Sequence, residues 1–226
     1  RCDSCTDGYS PDGRNETEYS FLYEYFPWNA FYSRVFFMKE SEKKMSENRN
    51  HNTVRLAKMG MLVAVSIVLV YFVHFPIFPA VAFLEYDPAD IPILMGTFAF
   101  GPLAGILLTA VTAVIQGVTV SAASGVYGII MHIISTSVLV AVAGVIYQKH
   151  KTRKTALIGL ICGVLAMTIV MIGANMIITP LFMGVPRDVV WQLMPFIAGF
   201  NAIKAGINSV VTFLLYKRIS GFLHKN

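Results

Sequence analysis

The stretch Ile91–Gln148 reads IPILMGTFAFGPLAGILLTAVTAVIQGVTVSAASGVYGIIMHIISTSVLVAVAGVIYQ and contains no Asp, Glu, Lys or Arg. A soluble helix keeps a charged outer face even where its other face is core, so a run of this length without charge has no water-facing side to offer. Two further runs, Met59–Leu84 and Thr155–Pro186, are equally free of charge. The chain as a whole has 226 residues, 55% of them hydrophobic and 14% charged, an apolar content above that of an ordinary soluble domain. The fold expected is an all-α membrane protein.

A crossing helix needs about 20 apolar residues. Gly and Pro divide the charge-free runs into six expected spans, at 56–74, 90–101, 102–120, 126–147, 155–182 and 191–217. The second is short because Pro102 removes a backbone donor just after Phe100-Gly101. A half-length helix at membrane depth has to pack against protein.

Basic residues resist translocation and collect on the cytoplasmic side. Lys43, Lys44, Arg49, Arg55 and Lys58 precede the first span, Lys149, Lys151, Arg153 and Lys154 join the fourth to the fifth, and Lys217, Arg218 and Lys225 follow the sixth. Six crossings put all three clusters on one side, with both termini cytoplasmic and an extracellular loop between helices 1 and 2. The net charge of +5 follows from this asymmetry and from anionic inner-leaflet lipid. The lipid bilayer is therefore the expected partner, and nucleic acid is not.

Residues 1–50 are polar and read as a disordered tail, and residues 51–226 read as the six-helix transmembrane domain. Cys2 and Cys5 form a CxxC pair without a second pair or a His to complete a metal site, and Cys162 reads as packing. Met38 or Met45 is the expected start of translation, with residues 1–37 a translated leader.

Lys204 lies in the interior of the last span, where a cation costs about 2.5–3.5 kcal/mol and needs compensation. Asn201 and Asn208, at i−3 and i+4, share its helical face. The group reads as inward-facing, with a ligand contact favoured over a structural pair. Other spans carry polar stripes: Thr109, Thr112, Gln116 and Thr119; His132, Ser135 and Thr136; Thr168, Asn175 and Thr179. Most of the threonines read as back-bonded or as interhelical glue. Gln116 and Asn175 are different, since each amide needs both donor and acceptor partners and suits a ligand with amide-like edges. His132, a lone histidine, reads as core.

The segment Phe83-Leu84-Glu85-Tyr86-Asp87-Pro88-Ala89-Asp90-Ile91-Pro92 opens the second span with three carboxylates and two prolines. Two readings stand. Asp87 or Asp90 caps that helix, or the loop folds over a binding mouth with Tyr86 and Phe83 as apolar cover. No GxSxG, HExxH, Walker or DxxD-type pattern is present, so the chain does not read as an enzyme, and energy for any transport comes from another chain.

Three segments, Glu85–Pro92, Phe98-Ala99-Phe100-Gly101-Pro102-Leu103-Ala104-Gly105 and Phe200-Asn201-Ala202-Ile203-Lys204, together resemble the riboflavin-specific substrate-binding subunit, or S component, of energy-coupling-factor vitamin transporters. The resemblance covers about residues 54–222. It implies a six-helix subunit of the bacterial cell membrane that binds riboflavin as transported ligand, with no cofactor, and works with a transmembrane coupling subunit and two ATPase subunits. It implies that Asn175, Asn201 and Lys204 hold the flavin ring edge and that the loop carrying Tyr86 and Asp87 covers the ligand. It also implies docking of the first helix on the coupling subunit through Gly60 and Ala64, with Val68 departing from the small-residue pattern. A subunit for another vitamin, such as thiamine or biotin, is the alternative, and a non-transport membrane protein stands behind it. The leader reading draws on a further resemblance, since Tyr9-Ser10-Pro11-Asp12-Gly13-Arg14-Asn15-Glu16 back-translates to codons like the closing stretch of the flavin-mononucleotide riboswitch.

Overall fold

The computed structural model describes residues 28–223. The CxxC pair and the Tyr9–Glu16 segment lie outside the described residues, as do residues 1–27 of the expected leader. Two compact units divide the chain, Arg1–Arg55 and Leu56–Asn226.

Six helices longer than ten residues run through the described residues: α1 Trp28–Phe72, α2 Asp90–Phe100, α3 Pro102–Val118, α4 Gly125–Lys149, α5 Arg153–Met183 and α6 Arg187–Leu223. A helix thus stands at each of the six places expected for a span. Residues 28–50, expected as a disordered tail, are helical where described; Met38, Lys39, Glu40 and Lys43 are strong helix formers. Among the described residues, four helical stretches are long and apolar enough to cross a membrane: Asn52–Phe72, Gly125–Lys149, Arg153–Met183 and Arg187–Tyr216. At 11 and 17 residues, α2 and α3 are shorter, so shortness is shared by two helices where one was expected.

Local chemistry sets the helix ends. Gly101 adopts φ 98°, which a side chain resists, and Pro102 then starts α3 at the position where a missing N–H costs nothing. Thr152 caps α5 by accepting from the Thr155 N–H at 3.2 Å. Gly184 ends α5 in the left-handed region at φ 67°.

Within the unit from Leu56, α4 packs against α3 and α5, α5 against α6, and α2 against α3, α4 and α6. Every residue of α2 from Asp90 to Phe98 is buried, so the half-length helix is enclosed by protein. The core joins Leu94, Phe98, Leu108, Leu139, Tyr147, Leu160 and Met167. The outward faces are apolar too: Leu103, Val118, Ile158, Leu165, Ile169, Leu181 and Leu214 are all exposed. Polar side chains go inward instead, among them Asp87, Asp90, Gln116, Asn175, Asn201, Lys204 and Asn208. An apolar perimeter around a polar interior suits lipid as the surrounding solvent.

The connection from α1 to α2 is an ordered element. Phe75 and Pro76 pair antiparallel with Tyr86 and Glu85 as a two-residue ribbon. Between the strands, Val81 packs with Val190, Met194 and Ile197 of α6, flanked by Phe78, Phe83 and Leu84. This packing ties the connection to α6.

Close helix approach depends on α5 glycines. A Cβ at Gly159 would lie 2.9 Å from the Ala143 carbonyl oxygen of α4, and one at Gly163 would lie 3.0 Å from that of Leu139. Gly173 on the same helix meets nothing within 4 Å. Gly159→Leu is therefore expected to destabilise the α4–α5 seam by about 1–3 kcal/mol. Thermal unfolding in detergent should show a clear drop in midpoint for Gly159→Leu and none comparable for Gly173→Leu.

Candidate binding site

At the head of α2 the interior polar groups converge. Lys204 Nζ donates to Asp87 Oδ2 at 2.8 Å, and both side chains are buried. Gln116 Nε2 donates to the same oxygen at 3.2 Å, while the Ala89 N–H donates to Asp87 Oδ1 at 3.2 Å. Burial alone would raise the Asp87 carboxyl; the Lys204 ammonium, then His132, and the hydrogen bonds from Lys204 and Gln116 outweigh it and hold the carboxyl below the ordinary carboxylate value. At 2.8 Å, with both side chains buried, Asp87 and Lys204 form a salt bridge.

Asn208 braces the aspartate from behind. Its Nδ2 donates to the Asp87 backbone carbonyl and to Asp90 Oδ2, each at 3.0 Å, and its Oδ1 accepts from the Tyr86 hydroxyl at 2.9 Å. Asp90 Oδ1 accepts from Thr136 Oγ1 at 2.6 Å. Neither carboxylate caps α2: the N-cap is Ala89, without a side-chain cap bond. Three of their four oxygens are instead committed to α3, α4 and α6, and Asp87 Oδ1 holds the Ala89 N–H just ahead of the helix.

The Asp87–Lys204 pair lines an open cleft of about 730 Å³, counting its mouth. Asn201 and Gln116 line it as well, so four expected site residues share one cavity. Its apolar walls come from Phe83, Ile129, Met131, Met167, Met171 and Phe200. The other two lie elsewhere. Tyr86 does not line the cleft; it is buried with its hydroxyl on Asn208 and its ring against Phe75 at 5.4 Å between centroids. Asn175 lines an adjoining open pocket with Tyr127, Thr179 and Phe182. Phe83, Leu84 and Met131 line both cavities and so stand at their junction.

The amides hold themselves in place along their helices. Asn201 Nδ2 donates to the Ile197 carbonyl and Asn175 Nδ2 to the Met171 carbonyl, both at 2.8 Å, and Thr179 Oγ1 donates to Asn175 Oδ1 at 2.8 Å. Among the docking residues, Gly60 and Ala64 are exposed, and a Cβ at Gly60 meets nothing within 4 Å, so neither is packed inside the bundle.

Lys204 has a partner within the chain, the reading ranked below a ligand contact. Two features were not foreseen from sequence: the Asn208–Asp90–Thr136 network supports the loop, and His132, expected as core, lines the cleft. The polar stripe on α4 was the one available signal for both.

The family model for the substrate-specific component of ECF transporters matches residues 54–216. The riboflavin transporter RibU of Staphylococcus aureus is 30% identical over 178 residues, covering 76% of this chain and 93% of its own length. Riboflavin transporter RibU of Streptococcus thermophilus is 28% identical over 77% of this chain and 86% of its own. Riboflavin transporter FmnP of Bacillus subtilis is 26% identical over 76% and 94%. A solved structure of the S component of a bacterial ECF transporter superposes with TM-score 0.66 at 30% identity, covering 77% of this chain and 99% of that one.

Removing one member of a buried ion pair strands the other charge, at a cost of about 3–5 kcal/mol, whereas replacing both is often close to neutral. Lys204→Met is accordingly expected to lower the unfolding midpoint of the ligand-free protein more than Lys204→Met with Asp87→Asn. A double variant less stable than the single one contradicts the pairing.

Proposed function

The chain belongs to the family of substrate-specific components of ECF transporters, and from that premise we propose that it is the riboflavin-binding membrane subunit of such a transporter. The observation that carries this reading is the cleft, in which an ion pair and two amides meet apolar walls of aromatic and methionine side chains. Riboflavin joins a flat ring system with a polar dione edge to a polyol chain. Lys204 and Asn201 supply groups for the polar edge, and Phe83, Met131, Met167, Met171 and Phe200 supply apolar cover for the ring. Asn175 lies just beyond Phe83 and Leu84, within reach of a ring that displaces them.

In this reading all six helices from Asn52 onward cross or enter the bilayer of a bacterial cell membrane. Both termini are cytoplasmic, because the basic clusters then share one face. The ordered connection between α1 and α2 is extracellular and folds over the ligand, with Asp87 at its inner end. The chain hydrolyses nothing: two ATPase subunits and a transmembrane coupling subunit supply the drive. The exposed small residues Gly60 and Ala64 form the docking face, since small residues permit close helix approach.

Quenching of riboflavin fluorescence by detergent-solubilised protein tests the assignment. Wild type should bind below micromolar concentration, and Asn201→Ala and Lys204→Gln should each weaken binding about tenfold or more, which corresponds to about 1.4 kcal/mol. Protein that leaves riboflavin fluorescence unchanged contradicts the reading.

A further inference from the structure

The turn from α4 to α5, at the opposite end of α4 from the extracellular mouth, gathers charge that the chain does not answer. Lys149, Lys151, Arg153 and Lys154 fall within six residues, all are exposed, and none is paired with a carboxylate among the described residues. The unit from Leu56 holds only four carboxylates, Glu85, Asp87, Asp90 and Asp188. Asp90, the last of the first three, bonds to Thr136, thirteen residues before Lys149 and so about 20 Å from it along α4. Asp188 follows the far end of the 31-residue α5. Exposed charges more than about 8 Å apart are screened at physiological salt, so none of the four carboxylates neutralises the turn.

The turn is also ordered, which holds the like charges together. The Thr152 N–H donates to the His150 carbonyl at 2.7 Å, and Thr152 Oγ1 accepts from the Thr155 N–H at 3.2 Å. Apolar surface begins directly beside it: Val145 on α4 and Leu157, Ile158 and Ile161 on α5 are all exposed. A Cβ at Gly144 would lie 2.9 Å from Pro102 Cβ, so the start of α3, with exposed Leu103, packs at the same end of α4. A soluble anion meets the cations and leaves this apolar edge untouched. A lipid with a neutral head covers the edge and leaves the cations unanswered. A phospholipid with a net negative headgroup meets both, its phosphate among the cations and its acyl chains along the helices.

We propose that the α4–α5 turn is a binding site for an anionic phospholipid, with Lys149, Lys151, Arg153 and Lys154 holding the headgroup and the exposed apolar residues of α4 and α5 holding the chains. Such a lipid fixes the depth of the basic end of the bundle in its leaflet. The site is remote from the cleft, and the inference does not depend on which ligand the cleft takes.

Thermal unfolding of the full chain in a non-ionic detergent tests this, with phosphatidylglycerol added in one series and phosphatidylcholine of the same acyl chains in another. Phosphatidylglycerol should raise the wild-type midpoint by a few degrees more than phosphatidylcholine does. Lys151→Gln with Arg153→Gln should remove at least half of that difference. Lys43→Gln with Lys58→Gln, which takes the same charge from the cluster before the first span, should leave it in place. All four positions lie outside the buried core, and Lys149→Gln with Lys154→Gln serves instead if the first pair does not fold. Three results each overturn the site: equal stabilisation by the two lipids, equal loss in the two variant pairs, or a gain from excess inorganic phosphate that matches phosphatidylglycerol. The last marks a site for a free anion, and none of the three bears on the riboflavin assignment.

Discussion

An ammonium group inside a bundle with an apolar perimeter has to be neutralised by the chain itself, and Asp87 does this from a connection rather than from a helix. The rest of the site follows from that placement. To reach Lys204, the segment after α1 must fold inward, and it is held there by its ribbon, by Val81 against α6, and by Asn208 under its backbone. Deep in the bundle each of these polar groups would be costly alone. Joined through Asp87 and Asp90, most of them are satisfied by one another.

The same constraint explains why a cleft forms at this level of the bundle. Short α2 is wholly enclosed from Asp90 to Phe98, so the space at its head is bounded by α3, α4, α5, α6 and the incoming connection. Small residues let the helices approach closely along the α4–α5 seam, and the cleft opens beyond it, where bulkier Met131, Met167 and Met171 line the wall. Methionine adapts to irregular ligand outlines at little cost in packing, which suits walls that meet a flat ring. Phe83 and Leu84 sit between this cleft and the one containing Asn175. A large ligand therefore has a direct reason to move the connection when it binds.

Much of this was legible in the sequence, for physical reasons. A missing charged face is a local property, so the helices fell where the charge-free runs and Gly101-Pro102 placed them. The buried cluster of Asn201, Lys204 and Asn208 followed from helical spacing alone. What spacing does not encode is pairing across the bundle: Asp87 and Lys204 are 117 residues apart, and Asn208 and Asp90 are 118 apart. A carboxylate before a helix reads as a cap from its neighbours in sequence, and only the position of α6 turns Asp87 toward a lysine. Tyr86 reads as cover for the same reason until Asn208 is seen to hold its hydroxyl. His132 looked like packing because the cleft it lines is bounded by several helices, which spacing along α4 does not encode.

The central claim is that riboflavin sits in the cleft lined by Lys204, Asn201, Asp87 and Gln116. A crystal structure of the riboflavin-bound protein measures this directly. The expected result is flavin density in that cleft, with the polar ring edge toward Lys204 and Asn201. Flavin density outside the cleft, or a ring edge turned away from Lys204 and Asn201, would contradict it.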